Sequence, residues 1–386
     1  MKKLLLSTLA IAALTFVSCS RDEDETIVPD NTVTINPEDF KGELTAGQAV
    51  TLDANQVYKL TGSFVVKAGA TLTIPAGTRI EATGGTASYI AIAQDGLLYV
   101  NGTATNPVVM TSGSANPETG NWGGLVICGK AKTNKGGSNG ESATAEVSDL
   151  TYGGNDDTDS SGVIRYLRVE YTGAAFNADK EFNGVSLFAV GSGTVFEYVQ
   201  AYKSGDDGIE FFGGSVNARN LVALHSEDDA IDFADGFSGT LENVYIKDVA
   251  KAGVEGSNNG DNGAALPTTN ATLKNFSIVK GALAGEEHGM YLKEGAGHWT
   301  ASNIYIDGFA KGLKIKNVTG DPVANANIDN GFITFNPIQF NITGTAESDK
   351  SEYVGVNTTY IVEANNTGAG NGADAPSWTQ GWTVGL

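Results

Sequence analysis

The chain has 386 residues and carries 45 acidic against 24 basic side chains, a formal net charge of −21. That excess repels phosphates and excludes non-specific nucleic-acid binding, while it suits cations and solubility. With 50 Gly, many β-branched and aromatic residues and few stretches of helical period, the composition excludes a mainly helical chain and points to an all-β one rich in turns.

In chain order, Met1-Lys-Lys and the apolar run Leu4–Val17 form a basic n-region and a short h-region, a signal peptide over residues 1–18. The run is too short to be a stable membrane span. It ends in Phe16-Val17-Ser18-Cys19, which resembles a bacterial lipobox with Phe in the usual Leu position, as in Bacteroidetes-type lipoproteins. The resemblance implies cleavage before Cys19 and lipidation of its thiol. The acidic run 20–25 that follows is similar to the surface-export signal of those lipoproteins, which implies an outer-membrane, lipid-anchored protein facing the cell exterior. Residues 19–45, with Pro29 and Pro37, read as an acidic, flexible tether.

Short strands ending in Gly-containing turns begin near Leu52 and continue through Tyr58-Lys-Leu-Thr, Thr71-Leu-Thr-Ile and Leu97-Leu-Tyr-Val. From residue 163 onward a pattern returns: Tyr198-Val-Gln-Ala, Asn220-Leu-Val-Ala, Asn243-Val-Tyr-Ile, Asn275-Phe-Ser-Ile, Asn303-Ile-Tyr-Ile and Asn327-Ile-Asp-Asn. About ten residues behind it comes a second one, in Gly208-Ile-Glu-Phe, Ala230-Ile-Asp-Phe, Gly253-Val-Glu-Gly, Gly289-Met-Tyr-Leu and Gly312-Leu-Lys-Ile. Asn220 minus Tyr198 and Ala230 minus Gly208 both give 22. A period of this size, built of strand, turn and strand, predicts a solenoid. The pattern resembles right-handed parallel β-helices of the pectin-lyase-like kind, which implies a single such β-helix over residues 46–386. Loop insertions are expected near 131–161 and 257–269, and a C-terminal cap that uses Trp378 and Trp382.

Stacked coils repeat about every 4.8 Å, so the repeat predicts columns. Asn220, Asn243, Asn275 and Asn303 form an expected inward ladder. Val185, Ile209, Ile231, Val254, Met290 and Leu313 should point inward, as should Leu187, Phe211, Phe233, Leu292 and Ile315. Ser186, Glu210, Asp232, Glu255, Tyr291 and Lys314 should point outward, flanked by the column Asn183, Asp207, Asp229, Ala252, His288 and Lys311. Carboxylates at such spacing raise one another's pKa values or recruit a cation, which marks a candidate site.

Two chemistries fit. Asp207-Gly208, Asp228-Asp229, His288-Gly289 and Lys314-Ile315-Lys316 are similar to motifs of polygalacturonase-type glycoside hydrolases. That resemblance implies Asp228 as acid, Asp207 and Asp229 as activators of water, His288 in support, and Tyr291, Lys311, Lys314 and Lys316 as substrate-binding residues. The sequence departs from those motifs at Asp206, Glu227, Glu287 and Lys314. Alternatively Asp206, Glu210, Asp228 and Asp232 offer hard oxygen ligands for calcium, although no cofactor is required by the reading. His225, His298 and Cys128 have no partner pattern and read as turn, surface and buried positions.

The reading favoured is a surface-exposed lipoprotein that recognises a glycan or protein partner through an extended acidic face. A polysaccharide-degrading hydrolase or lyase, and a structural subunit of an outer-membrane complex, are the alternatives.

Overall fold

The computed structural model describes residues 33–136, 141–285 and 288–386. The signal peptide, Cys19, the first part of the tether and Glu287 lie outside the described residues. The body is a parallel β-helix, its 23 strands joined in one continuous parallel sheet. Short strands stack as one ladder through Ile90–Ile92, Leu125–Cys128, Val185–Phe188, Ile209–Phe212, Ile231–Ala234, Val254–Ser257, His288–Lys293 and Lys311–Ile315. Longer strands, such as Val195–Ser204 and Thr240–Val249, turn a corner midway and so serve two further ladders. Gly162–Glu170 shows this directly, pairing with both Leu97–Asn101 and Val108–Ser112 of the preceding coil.

In the long strands from Gly162–Glu170 to His298–Asp307 the corner is a left-handed residue: Tyr166, Tyr198, Asn220, Asn243, Asn275 and Asn303 all have φ between 50° and 60°. Asn tolerates this conformation, which most L-residues avoid. The side chains also link the coils, since Asn303 Nδ2 donates to Asn275 Oδ1 at 2.7 Å and Asn275 Nδ2 to Asn243 Oδ1 at 2.8 Å. The ladder therefore exists from Asn243 to Asn303, but these side chains are partly exposed on the flank instead of pointing inward. Tyr166 and Tyr198 stack in the same column and meet Trp382 edge-on, and Asn303 Nδ2 also donates to the Gly368 carbonyl of the C-terminal segment.

The predicted inward columns are all buried in one continuous core. Gly256 stands in the column between Phe233 and Leu292, where a Cβ would lie 2.0 Å from the Trp299 ring, so its absence makes room for the indole.

Four expectations change. The solenoid starts before residue 46, because Phe40 and Leu44 are buried and the strand Phe40–Leu44 pairs with Val57–Val66. Asn327-Ile-Asp-Asn is no coil: Asp321 caps the helix Pro322–Asp329 through Ala324 N, with Pro at the first turn. Trp378 and Trp382 do not cap the final coil. The C-terminal segment runs back along the flank, where Trp382 packs with Val222, Leu224 and Tyr245 and Gln200 holds both N and O of Val384. Finally, the insertion 131–161 contains a hairpin, Ala143–Thr144 with Thr151–Tyr152, whose Ala145, Val147 and Tyr152 bury against Val126, Cys128 and Phe188 on the outside of the short-strand ladder.

Candidate functional site

The register places Ser186, Glu210, Asp232, Glu255, Tyr291 and Lys314 in one outward column, as predicted. It is not an open acidic face. Asp232 and Glu255 are 8% and 5% exposed, and Asp207 and Asp229 in the flanking column 5% and 3%. Over Asp232 and Glu255 the two insertions wall a cleft of about 300 Å³, in which Glu210, Asp232, Glu255 and Lys293 are joined by Lys135 and Glu146 from the first insertion and by Lys180 from the segment before Asn183. Buried amides clasp the insertions together: Asn134 Nδ2 donates to Asn258 O and Pro267 O, and Asn259 Nδ2 donates to Asn134 Oδ1.

Three carboxylate groups line the ladder, each with oxygens within 4.8 Å of one another: Asp206, Asp207 and Asp228; Asp207, Glu210 and Asp232; Asp229, Asp232 and Glu255. The four ligands predicted for calcium are thus divided between two groups that share Asp207. Burial, then neighbouring carboxylates, push Asp207, Glu210, Asp229 and Asp232 well above the ordinary carboxyl range. Burial and Asp228 raise Asp206 to about 7, and burial raises Asp235 to about 6. The third group has its own cation, because Lys293 Nζ pairs with Glu255, and Lys251 pairs with Asp228 in the first. In the middle group Glu210 accepts a hydrogen bond from Asn183 Nδ2, yet the buried Oδ1 atoms of Asp232 and Asn183 have no hydrogen-bond partner among the described residues. Unpaired buried acceptors of this kind are costly, and hard oxygens are what calcium takes.

The hydrolase set is only partly assembled. Asp207 and Asp229 each use one oxygen on the backbone of the next coil, accepting from Asp229 N and Ala252 N. Ala252 stands between Asp229 and His288 in the column, so His288 lies two coil steps, about 10 Å, from Asp229. His288 Nε2 instead meets Glu352 at 3.1 Å, and Lys311 Nζ reaches the same carboxylate at 3.0 Å. Lys314 Nζ sits 4.4 Å from the Tyr291 ring centroid, while Lys316 is exposed beyond the strand end. His225 is paired through Nδ1 with Asp248 at 2.7 Å. Glu352 and the loop residues were not legible as site residues, since each reaches the column from a segment without the repeat, whereas Lys251 and Lys293 lie within the repeat but nothing in the pattern marked them. Asn183 stood in its column, but nothing marked it as a ligand.

A parallel β-helix with an acidic cleft on one face defines a class of protein. The chain belongs to the family of the pectate-lyase like beta helix domain, which matches residues 42–383. No curated protein and no solved structure matches it.

Proposed function

We propose that the chain is a lipid-anchored recognition protein of the outer membrane, tethered through Cys19 and facing the cell exterior, whose cleft binds an acidic polysaccharide through calcium. The observation that carries the reading is the buried Oδ1 of Asp232, which has no hydrogen-bond partner among the described residues and lies where two of the carboxylate groups meet. Asp207, Glu210 and Asp232 would hold the ion, with Asn183 at the edge of the group. When bound, the ion supplies a positive charge that attracts a sugar carboxylate into an otherwise repellent cleft. Tyr291, Lys311 and Lys314, already engaged with one another or with Glu352, continue the same face beyond the ion.

Family membership favours a second reading, in which the same cleft cleaves the polysaccharide. Of the two cleavage chemistries, elimination fits better than hydrolysis, because the backbone bonds of Asp207 and Asp229 leave them poorly placed to activate water. Polygalacturonate binding and release of unsaturated product, measured with and without calcium, test both. Calcium-dependent binding that Asp232→Asn abolishes supports recognition, and product release adds catalysis. Binding that is indifferent to chelator removes the ion from the reading.

A further inference from the structure

The outward column has one closed end. Ala91, Val126 and Ser186, which precede Glu210 along it, have no exposed surface, whereas Tyr291 and Lys314 at its other end are partly exposed. The hairpin 143–152 closes the first end. It leaves the solenoid beside Cys128, with Gly153 N returning to Gly129 O, and crosses the face to the opposite side. There Ala145 and Val147 pack in one cluster with Phe182, and Glu146 pairs with Lys180. Along one flank, Thr133 Oγ1 and Asn134 N fasten the insertion to Asp235 O, and Asn134 continues the wall to Asn258 and Asn259. A polymer bound through its middle needs an exit past Ser186, and the hairpin occupies that path. The volume of about 300 Å³ is at the small end of ligand pockets, roughly 300–1,000 Å³.

We infer that the cleft receives the end of a polysaccharide chain, its terminal sugar against the hairpin 143–152 and the following sugars directed toward Tyr291 and Lys314. This rests on the glycan reading above. The test uses the full chain loaded with calcium and three probes: oligogalacturonides of defined length, the same oligomers with the reducing end converted to an alditol or the non-reducing end blocked, and long polygalacturonate. Binding is expected to follow the molar concentration of chain ends, so that long polymer is weaker per unit mass in proportion to its length. Blocking one of the two ends, and not the other, should weaken binding by about tenfold or more, as loss of well-made terminal hydrogen bonds does. Binding that grows with internal length and ignores both blocks overturns chain-end capture while leaving glycan recognition intact. If neither oligomer nor polymer binds, the glycan reading itself fails, and this inference with it.

Discussion

Asp232 lies where two carboxylate groups meet, and its surroundings set how the protein responds to pH. Asp206, with an ordinary pKa of 3.8, is raised to about 7, and Asp207, Glu210, Asp229 and Asp232 move the same way. A group raised on folding contributes stability that is fully present below its unfolded pKa and is lost as pH rises through its folded value. The ion-free protein should therefore melt lower at pH 8 than at pH 5; equal melting temperatures would contradict the burial of these acids. Calcium should reverse the trend, adding about 2.7 kcal/mol at a hundred times its Kd. Asp232→Asn removes the buried charge, so it should raise the melting temperature of ion-free protein at pH 8 and abolish the response to calcium. Differential scanning calorimetry with chelator and with calcium reads both effects.

Single strands and turns were legible wherever the repeat reached them. The inward columns from Val185 to Leu313 were readable because one apolar residue per coil must fill the same slice of core. The asparagine column was readable for a similar reason, but its direction was not: the turn conformation decides whether a side chain faces the core or the flank. Asn327 matched the pattern and is helical, because Asp321 and Pro322 form a stronger local start signal. The cleft was the least legible part. Its walls come from residues 133–135, 143–152 and 257–267, which have no period, so nothing in the sequence says that Val147 packs near Phe182. The ladder itself is testable. Asn275→Ala removes hydrogen bonds to both Asn243 and Asn303 and places Ala at φ 60°. The expected loss is about 2–3 kcal/mol in urea unfolding, with Asn275→Gly milder because glycine accepts the backbone. A loss below about 0.5 kcal/mol for Asn275→Ala would mean that the ladder follows the fold without supporting it.

At the scale of the molecule, the C-terminal segment and the proposed anchor are the features to probe. Deleting residues 366–386 uncovers Val222, Leu224 and Tyr245 together with Tyr166 and Tyr198. The truncated protein should bind a hydrophobic dye and aggregate on heating, as apolar patches of that kind do; a soluble protein with unchanged melting would show the flank to be stable uncovered. For the anchor, cells fed an alkyne-tagged fatty acid should label the wild-type chain, and Cys19→Ala should lose both the label and retention in the membrane fraction.

The returning C-terminal segment also bears on the order of assembly. A solenoid held only by neighbouring coils can form or unravel one coil at a time from either end. Here Val384 is bound to Gln200 and Asn366 donates to Ile304 O, so residues 366–384 span coils far earlier in the chain. The coils around Gln200 stay unlatched until residues 366–384 are in place, and the folded molecule must release this latch before its flank can unravel. The latch thereby couples coils that a simple solenoid would leave to form and unravel independently.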